Sequence, residues 1–279
     1  MTAVITLTTD FGTRDPYVAE MKAAILRLNP AVHLVDVTHH VTAYDLVEGA
    51  LAVEAIAAVS APGTIHVAVV DPGVGTSRRG LALAAEGQLF VGPDNGIFTA
   101  ALSRPGWQAF ELRADAYRRA MVSATFHGRD VFAPAAAHLA LGVAPSRFGP
   151  PVGDPVRLDW AVAREGVGMV DGEVIHVDRF GNLVTSVTAD VVERLAARGG
   201  VTVRIAGRVL PLVETFGELA QRGAGALVGS HGRLEVVVRE ASAAARFHAG
   251  RGTAVRVNRS TTTSRARGTT TSRARGRSS

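Results

Sequence analysis

The feature that most constrains this fold is an alternation, over the first 150 residues, of short β-branched runs with helical patterns. Val4–Thr8 precedes a helical pattern from Asp15, Val32–Thr38 precedes another from about Tyr44, and Thr64–Val70 follows. Strand, helix and strand in that rhythm imply a mostly parallel sheet, because parallel neighbours need a crossover long enough to hold a helix. The first helix carries its own signals. Asp15 is placed to cap, Pro16 suits the first helical position, and Tyr17, Met21, Ala24, Ile25 and Leu28 form one apolar stripe ended by Asn29-Pro30.

The grammar changes at the Pro-rich stretch Gly149-Pro150-Pro151-Val152-Gly153-Asp154-Pro155. Beyond about residue 165 the strand-like runs crowd together, at Gly172–Val187, Val201–Val213, Arg233–Arg239 and Thr253–Val257. We therefore expect an α/β fold in two parts. An N-terminal Rossmann-like α/β domain spans residues 1–150, a linker 151–164, and a smaller β-barrel-like domain 165–258. Residues 259–279 contain Thr-Thr-Thr-Ser-Arg-Ala-Arg-Gly twice in succession and no large apolar side chain, so a disordered tail is expected.

Composition narrows the chemistry. With no Cys, thiolate nucleophiles, disulfides and Cys-ligated metals are excluded, and Asp, Glu, His, Arg, Ser, Thr or Tyr must carry any reaction. The net charge of +5 suggests a polyanion, yet six arginines (259, 265, 267, 273, 275, 277) lie in the tail, and without them 24 basic residues face 25 acidic ones. Nucleic acid is thus not an expected partner of the folded part. The tail reads either as an RNA- or phosphate-binding arm or as an extension of no consequence. No run approaches the roughly 18 apolar residues of a membrane span, and Met1-Thr2-Ala3-Val4-Ile5 lacks a basic leader region, so no membrane partner and a cytoplasmic location are expected.

In an open α/β sheet, ligands sit beyond the carboxyl ends of the strands, so the loops that follow each run are informative. After the first comes Thr9-Asp10-Phe11-Gly12-Thr13-Arg14-Asp15, whose carboxylates either take up a polar ligand, such as both hydroxyls of a ribose, or cap the turn and helix. After the third comes Asp71-Pro72-Gly73-Val74-Gly75-Thr76-Ser77-Arg78-Arg79. It has neither the Lys-Ser/Thr pair nor the spacing of a nucleotide phosphate loop, and reads either as a backbone cradle or as a plain turn. Thr125-Phe126-His127-Gly128-Arg129-Asp130 places a His beside a helix start expected at Val131. His127 becomes a plausible base only if it meets Asp71.

Adjacent His39 and His40 invite a metal reading with Asp10, Asp36 and Asp71, but neighbours on an extended segment point opposite ways and no zinc-protease spacing is present. No metal is expected. In the second part, Asp178-Arg179-Phe180-Gly181-Asn182 offers an aromatic face and an amide for a flat heterocycle, or simply a hairpin turn around Gly181.

Taken in order, Thr9-Asp10-Phe11-Gly12, Val35-Asp36-Val37-Thr38-His39, Asp71-Pro72-Gly73-Val74-Gly75, Gly92-Pro93-Asp94-Asn95-Gly96, Phe126-His127-Gly128-Arg129-Asp130, Asp178-Arg179-Phe180-Gly181-Asn182 and Ser230-His231-Gly232-Arg233-Leu234-Glu235 resemble the S-adenosyl-L-methionine (SAM) hydroxide adenosyltransferases, or SAM hydrolases, relatives of the fluorinases and chlorinases. The resemblance covers about residues 3–257. It implies a homotrimer with SAM, the substrate, between one subunit's N-terminal domain and its neighbour's C-terminal domain. The implied reaction is displacement of methionine from the ribose C5′ by water or hydroxide, giving adenosine and L-methionine without cofactor or metal.

The resemblance assigns the water to Asp71, Arg78 and His127, the ribose diol to Asp10, a stacking aromatic to Tyr44, the methionine end to Asp15, Asp178 and Ser230, and adenine to Phe180 and Asn182; Phe126 joins the substrate-binding set. Halogenating relatives carry Tyr, Tyr and Ser where this chain has Asp71, His127 and Gly128, and a carboxylate there would repel a halide. Two further departures are Tyr44 in place of a Trp and His231 in place of an Arg. The alternative is a binder of adenosine or SAM that does no chemistry.

Overall fold

The computed structural model describes residues 2–159 and 163–259. The chain divides into two compact units between residues 160 and 161. The arginine-rich tail, apart from Arg259, lies outside the described residues.

Unit one opens with β1 (Val4–Thr9), α1 (Tyr17–Leu28), β2 (His33–Thr38), α2 (Leu46–Val59) and β3 (Ile65–Val69). It continues with β4 (Gly80–Ala85), β5 (Gln88–Pro93), α3 (Thr99–Leu102), β6 (Gln108–Glu111) and α4 (Ala133–Ala140). Among the described residues its sheet has six strands in the order β2-β1-β3-β5-β4-β6. β2, β1, β3 and β5 are parallel, and β4 runs against both neighbours. The mostly parallel sheet is thus present, with an antiparallel hairpin inserted where Glu86 and Gly87, both at positive φ, make a two-residue turn.

β1 and β3 are buried almost throughout because both faces are covered. Ile5, Leu7, Ile65, Val67 and Val69 pack with Met21 and Ile25 of α1 and the alanines of α4. Ala68, Val70, Leu81, Leu83 and Phe90 pack with Ala50, Val53 and Ala57 of α2. The α1 stripe is narrower than its sequence suggests, since Met21 and Ile25 are buried while Tyr17 and Leu28 are exposed. Nor does Asp15 cap that helix: Pro16 occupies the cap position and no side chain bonds to it. Asp45, one residue beyond the expected start at Tyr44, caps α2 by accepting from Glu48 N at 3.0 Å.

The Pro-rich stretch lies on unit one. Val152 is buried, Val156 N donates to Asp94, and Arg79 bridges the carboxylates of Asp94 and Asp154.

Unit two contains β7 (Arg164–Gly166), β8 (Met169–Val177), β9 (Leu183–Thr188), α5 (Ala189–Ala196), β10 (Val201–Ile205) and β11 (Arg208–Pro211). After these come β12 (Ala224–Val228), β13 (Arg233–Val238), α6 (Ala243–Phe247) and β14 (Ala254–Arg259). Among the described residues, seven of its strands form the path β11-β10-β14-β8-β9-β13-β12, every neighbouring pair antiparallel, with β7 added on β8. A ring of seven strands cannot alternate direction all the way round, so its seam must be parallel. The seam is a single parallel bridge, Leu212 to Ala226, that nearly closes a barrel around Val174, Leu183, Val203, Leu234 and Val257.

Candidate active site

The carboxyl ends of β1, β2 and β3 leave the sheet along one edge. The chain leaves β1 toward β2 on one side, and β3 lies on the other with the later strands beyond it. Asp10 follows β1 directly and Asp71 lies two residues beyond the end of β3, so they flank the crevice where strand order reverses, the usual ligand position in such sheets. A cavity of about 520 Å³ lies there, its lining including Asp10, Tyr44, Asp71, Phe126 and His127.

Asp71 is held by a folded-back loop. Val74 N bonds Asp71 O, then Thr76 N bonds Gly73 O, and these two turns return the chain so that Arg78 faces Asp71. Gly75 makes the path possible: its φ is +77° and a Cβ there would sit 2.5 Å from the Ala124 carbonyl oxygen. Arg78 Nε donates to both Asp71 oxygens at 2.9 and 3.1 Å, and its Nη2 donates to Oδ2 as well. The pair is almost dry, the side chains being 12% and 5% exposed.

The same Nη2 lies 2.7 Å from His127 Nδ1. A guanidinium only donates, so Nδ1 accepts and the neutral ring carries its proton on Nε2. Burial, and then the Arg78 charge, push the His127 pKa below the usual histidine value against the pull of Asp71 and Asp130. The ring is therefore neutral at pH 7. Such a trio can orient a water through the Nε2–H donor and draw its proton toward the Asp71 carboxylate.

His127 stands at the start of a π-helical turn, Gly128–Phe132, that runs into α4. Fully buried Asp130 in that turn accepts from Arg119, Arg129 and Ser123 N, tying the 118–127 loop to the helix. Burial alone would raise its pKa, but those donors hold the carboxyl below the usual range. Asp10 Oδ2 accepts from Tyr44 N at 2.9 Å and so secures Tyr44 at a φ of +68° with its ring exposed.

Sequence reasoning named Phe126 but missed its neighbours in the wall. Phe11, Tyr17 and Phe126 pack edge to face in a trio with centroids 5.3–5.9 Å apart, and Glu20 pairs with Arg129 across the same cavity. The spacing of Tyr17 and Glu20, a helical turn apart, was the available signal. Asp15 does not line the cavity. His39 is buried, with Nδ1 2.9 Å from Thr9 Oγ1 and Nε2 3.0 Å from Asp36 Oδ1, and it does not line the cavity that Asp10 and Asp71 share. Among the described residues no three His, Asp or Glu side chains are placed to hold a metal ion.

In unit two a cleft of about 470 Å³ is lined by Phe180, Asn182, Phe216, Glu240 and Ser242, with Val238 and Ala241. Asp178 Oδ1 accepts from Phe180 N and Asn182 N, and Oδ2 from Asn182 Nδ2. Because a carboxylate only accepts, that last bond fixes the amide, leaving Asn182 Oδ1 as the free acceptor. Glu235 lies near Asp178; burial and then the Asp178 charge raise its pKa. Ser230 is exposed in the turn between β12 and β13 and does not line the cleft.

Residues 5–149 match the SAM hydroxide adenosyltransferase N-terminal domain and residues 172–256 the C-terminal domain of the same family. An (R)-S-adenosyl-L-methionine hydrolase from Thermus thermophilus is 43% identical, covering 89% of this chain and 96% of its own. A fluorinase from an Actinoplanes species is 27% identical, over 92% of this chain and 98% of its own. The crystal structure of an uncharacterized conserved protein from Thermotoga maritima, 30% identical, has a TM-score of 0.84 and covers 93% of this chain and 100% of that one. The chain belongs to the SAM hydroxide adenosyltransferase family.

Proposed function

We propose that this protein hydrolyses SAM to adenosine and L-methionine. A water oxygen attacks the ribose C5′, the C5′–S bond breaks with its electron pair passing to methionine sulfur, and the water's proton passes to Asp71 and on to solvent. The observation that carries the reading is the Asp71–Arg78–His127 network at the edge of the cavity. A sulfonium is already a good leaving group, so the site has only to orient and partly deprotonate one water in line with the C–S bond.

The cavity's charge supports a cationic substrate. Its lining carries the carboxylates of Asp10, Glu20 and Asp71 against one guanidinium, that of Arg129. Asp10 takes the ribose diol, Tyr44 and Phe126 pack on the nucleoside, and Phe180 and Asn182 take adenine. Asp15, Asp178 and Ser230 take the methionine end. The first unit is read as Rossmann-like, with its ligand at the crevice between β1 and β3. Following the family resemblance, we place the site between neighbouring subunits of a homotrimer, in the cytoplasm, with neither metal nor cofactor.

The relative from T. thermophilus is named for an (R) epimer. The L prefix already fixes the α-carbon, so (R) designates the sulfonium sulfur, and we extend that epimer to this chain.

The test is incubation with each SAM epimer in the presence of a strong chelator, following adenosine and methionine by chromatography. Equal release of both, with ¹⁸O from labelled water in adenosine and with Asp71→Asn inactive but still binding SAM, is the expected result. Intact SAM in the wild-type reaction would leave a binder, and full activity in the Asn variant would remove Asp71 from the chemistry.

A further inference from the structure

Behind the cavity lies a buried histidine that the reaction does not use. His39 is 5% exposed and does not line the cavity, yet it holds the loop carrying Asp10 on both sides. On one side its Nδ1 meets Thr9 Oγ1 at 2.9 Å; on the other its carbonyl accepts from Gly12 N at 2.7 Å. Asp10 lies between Thr9 and Gly12. The far nitrogen, Nε2, lies 3.0 Å from Asp36 Oδ1, and Asp36 Oδ2 accepts from Lys22 at 2.6 Å.

Thr9 Oγ1 also accepts from Phe11 N at 3.3 Å, so the hydroxyl that meets the ring is fixed to the turn that follows Asp10. Contacts therefore run from Lys22 through Asp36, His39 and Thr9 to the residue preceding Asp10. The carboxylate's remaining bond, from Tyr44 N to Oδ2, joins it to the loop after β2, the same loop to which His39 belongs.

We propose that His39 is a positioning residue that sets the Asp10 carboxylate against the two ribose hydroxyls. The proposal rests on the SAM-hydrolase reading. A carboxylate that accepts from two vicinal hydroxyls at once needs both oxygens placed to within a fraction of an ångström, and a loop fastened on both sides meets that need. Without the ring, the backbone bond to Gly12 and the strand pairing of Thr9 survive but the Thr9 hydroxyl loses its partner, so the turn that carries Asp10 is held less closely.

The test is a cycle between His39 and a hydroxyl of the substrate. Wild-type enzyme and His39→Phe, which keeps a ring and removes both side-chain bonds, are assayed on SAM and on its 2′-deoxyadenosyl analogue. A hydroxyl bound by a charged group is worth about 10- to 150-fold. Wild-type kcat/KM is therefore expected to fall by that factor on the deoxy analogue. In His39→Phe the two substrates are expected to differ by less than about threefold, with the loss on SAM appearing in KM more than in kcat.

An unchanged discrimination in His39→Phe, whether both rates fall together or neither falls, overturns the proposal. If His39→Phe does not fold, Thr9→Val removes the hydroxyl that meets the ring and is read in the same way. If wild-type protein releases no adenosine, the hydrolase reading fails by itself. The ratio of adenosine to 2′-deoxyadenosine dissociation constants, measured by calorimetry for the wild type and the variant, then decides the role of His39 separately.

Discussion

Replacing Arg78 by Met removes the cation that is paired with the Asp71 carboxylate inside the protein. The Asp71 side chain is 5% exposed and receives its side-chain donors from Arg78, so the variant strands a nearly dry carboxylate. Removing one partner of a buried pair costs about 3–5 kcal/mol, because the other charge stays desolvated and unpaired. At roughly 2–4 °C per kcal/mol for a unit of this size, the unfolding midpoint of unit one falls by about 6–20 °C. Neutralising the carboxylate as well, in Arg78→Met with Asp71→Asn, removes the stranded charge and recovers most of that loss, although both variants are inactive. Scanning calorimetry at pH 7.5 measures all three proteins. A drop below about 3 °C for Arg78→Met, or a double variant no more stable than the single one, would refute the view that this pair stabilises a buried charge.

Two pH dependences follow from His127, at the start of the π-helical turn, and His66, within β3. His127 must be neutral to accept from Arg78, and its pKa is lowered by burial and by that cation, so the acid limb of kcat/KM lies below the usual histidine value of about 6.5; a limb above 6.5 in a pH–rate profile contradicts the assignment. His66, 1% exposed and bonded to Thr6, has its pKa pushed down by burial to about 4. Its folded pKa lies below the unfolded one, so the unfolded chain binds the proton first, and the stability present above pH 6.5 is lost on the way down to 4. That loss is about 3 kcal/mol. Urea midpoints for wild type and His66→Gln between pH 7.5 and 4.5 check it, and equal slopes for the two proteins would contradict it.

The sequence carried the alternation of β1, α1, β2, α2 and β3 because each strand contains β-branched residues and each crossover is helical in pattern. It did not reveal β4, whose Gly-Leu-Ala-Leu-Ala-Ala would suit a helix as well; pairing with β5 and β6 decides its state. The approach of Arg78 to Asp71 was proposed by the family likeness, and the seven-residue step across two glycines is compatible with it. That His127 joins them from 49 residues away was not legible, since no local pattern encodes a contact between loops, and only the family likeness proposed it. Glu20 and Arg129 escaped notice for the same reason, as each looks like a solvated charge until the other is placed opposite it.

Arg78 and Arg79 are neighbours in the chain, yet they serve different structures: one reaches Asp71 and His127, the other Asp94 and Asp154. The division follows from two consecutive side chains pointing opposite ways where the loop leaves its turns for β4. A change of length between Asp71 and Arg78 would displace the turns that return the guanidinium to the carboxylate and would draw Arg79 away from Asp94 as well. A single loop length therefore serves both structures, and this stretch should vary by substitution.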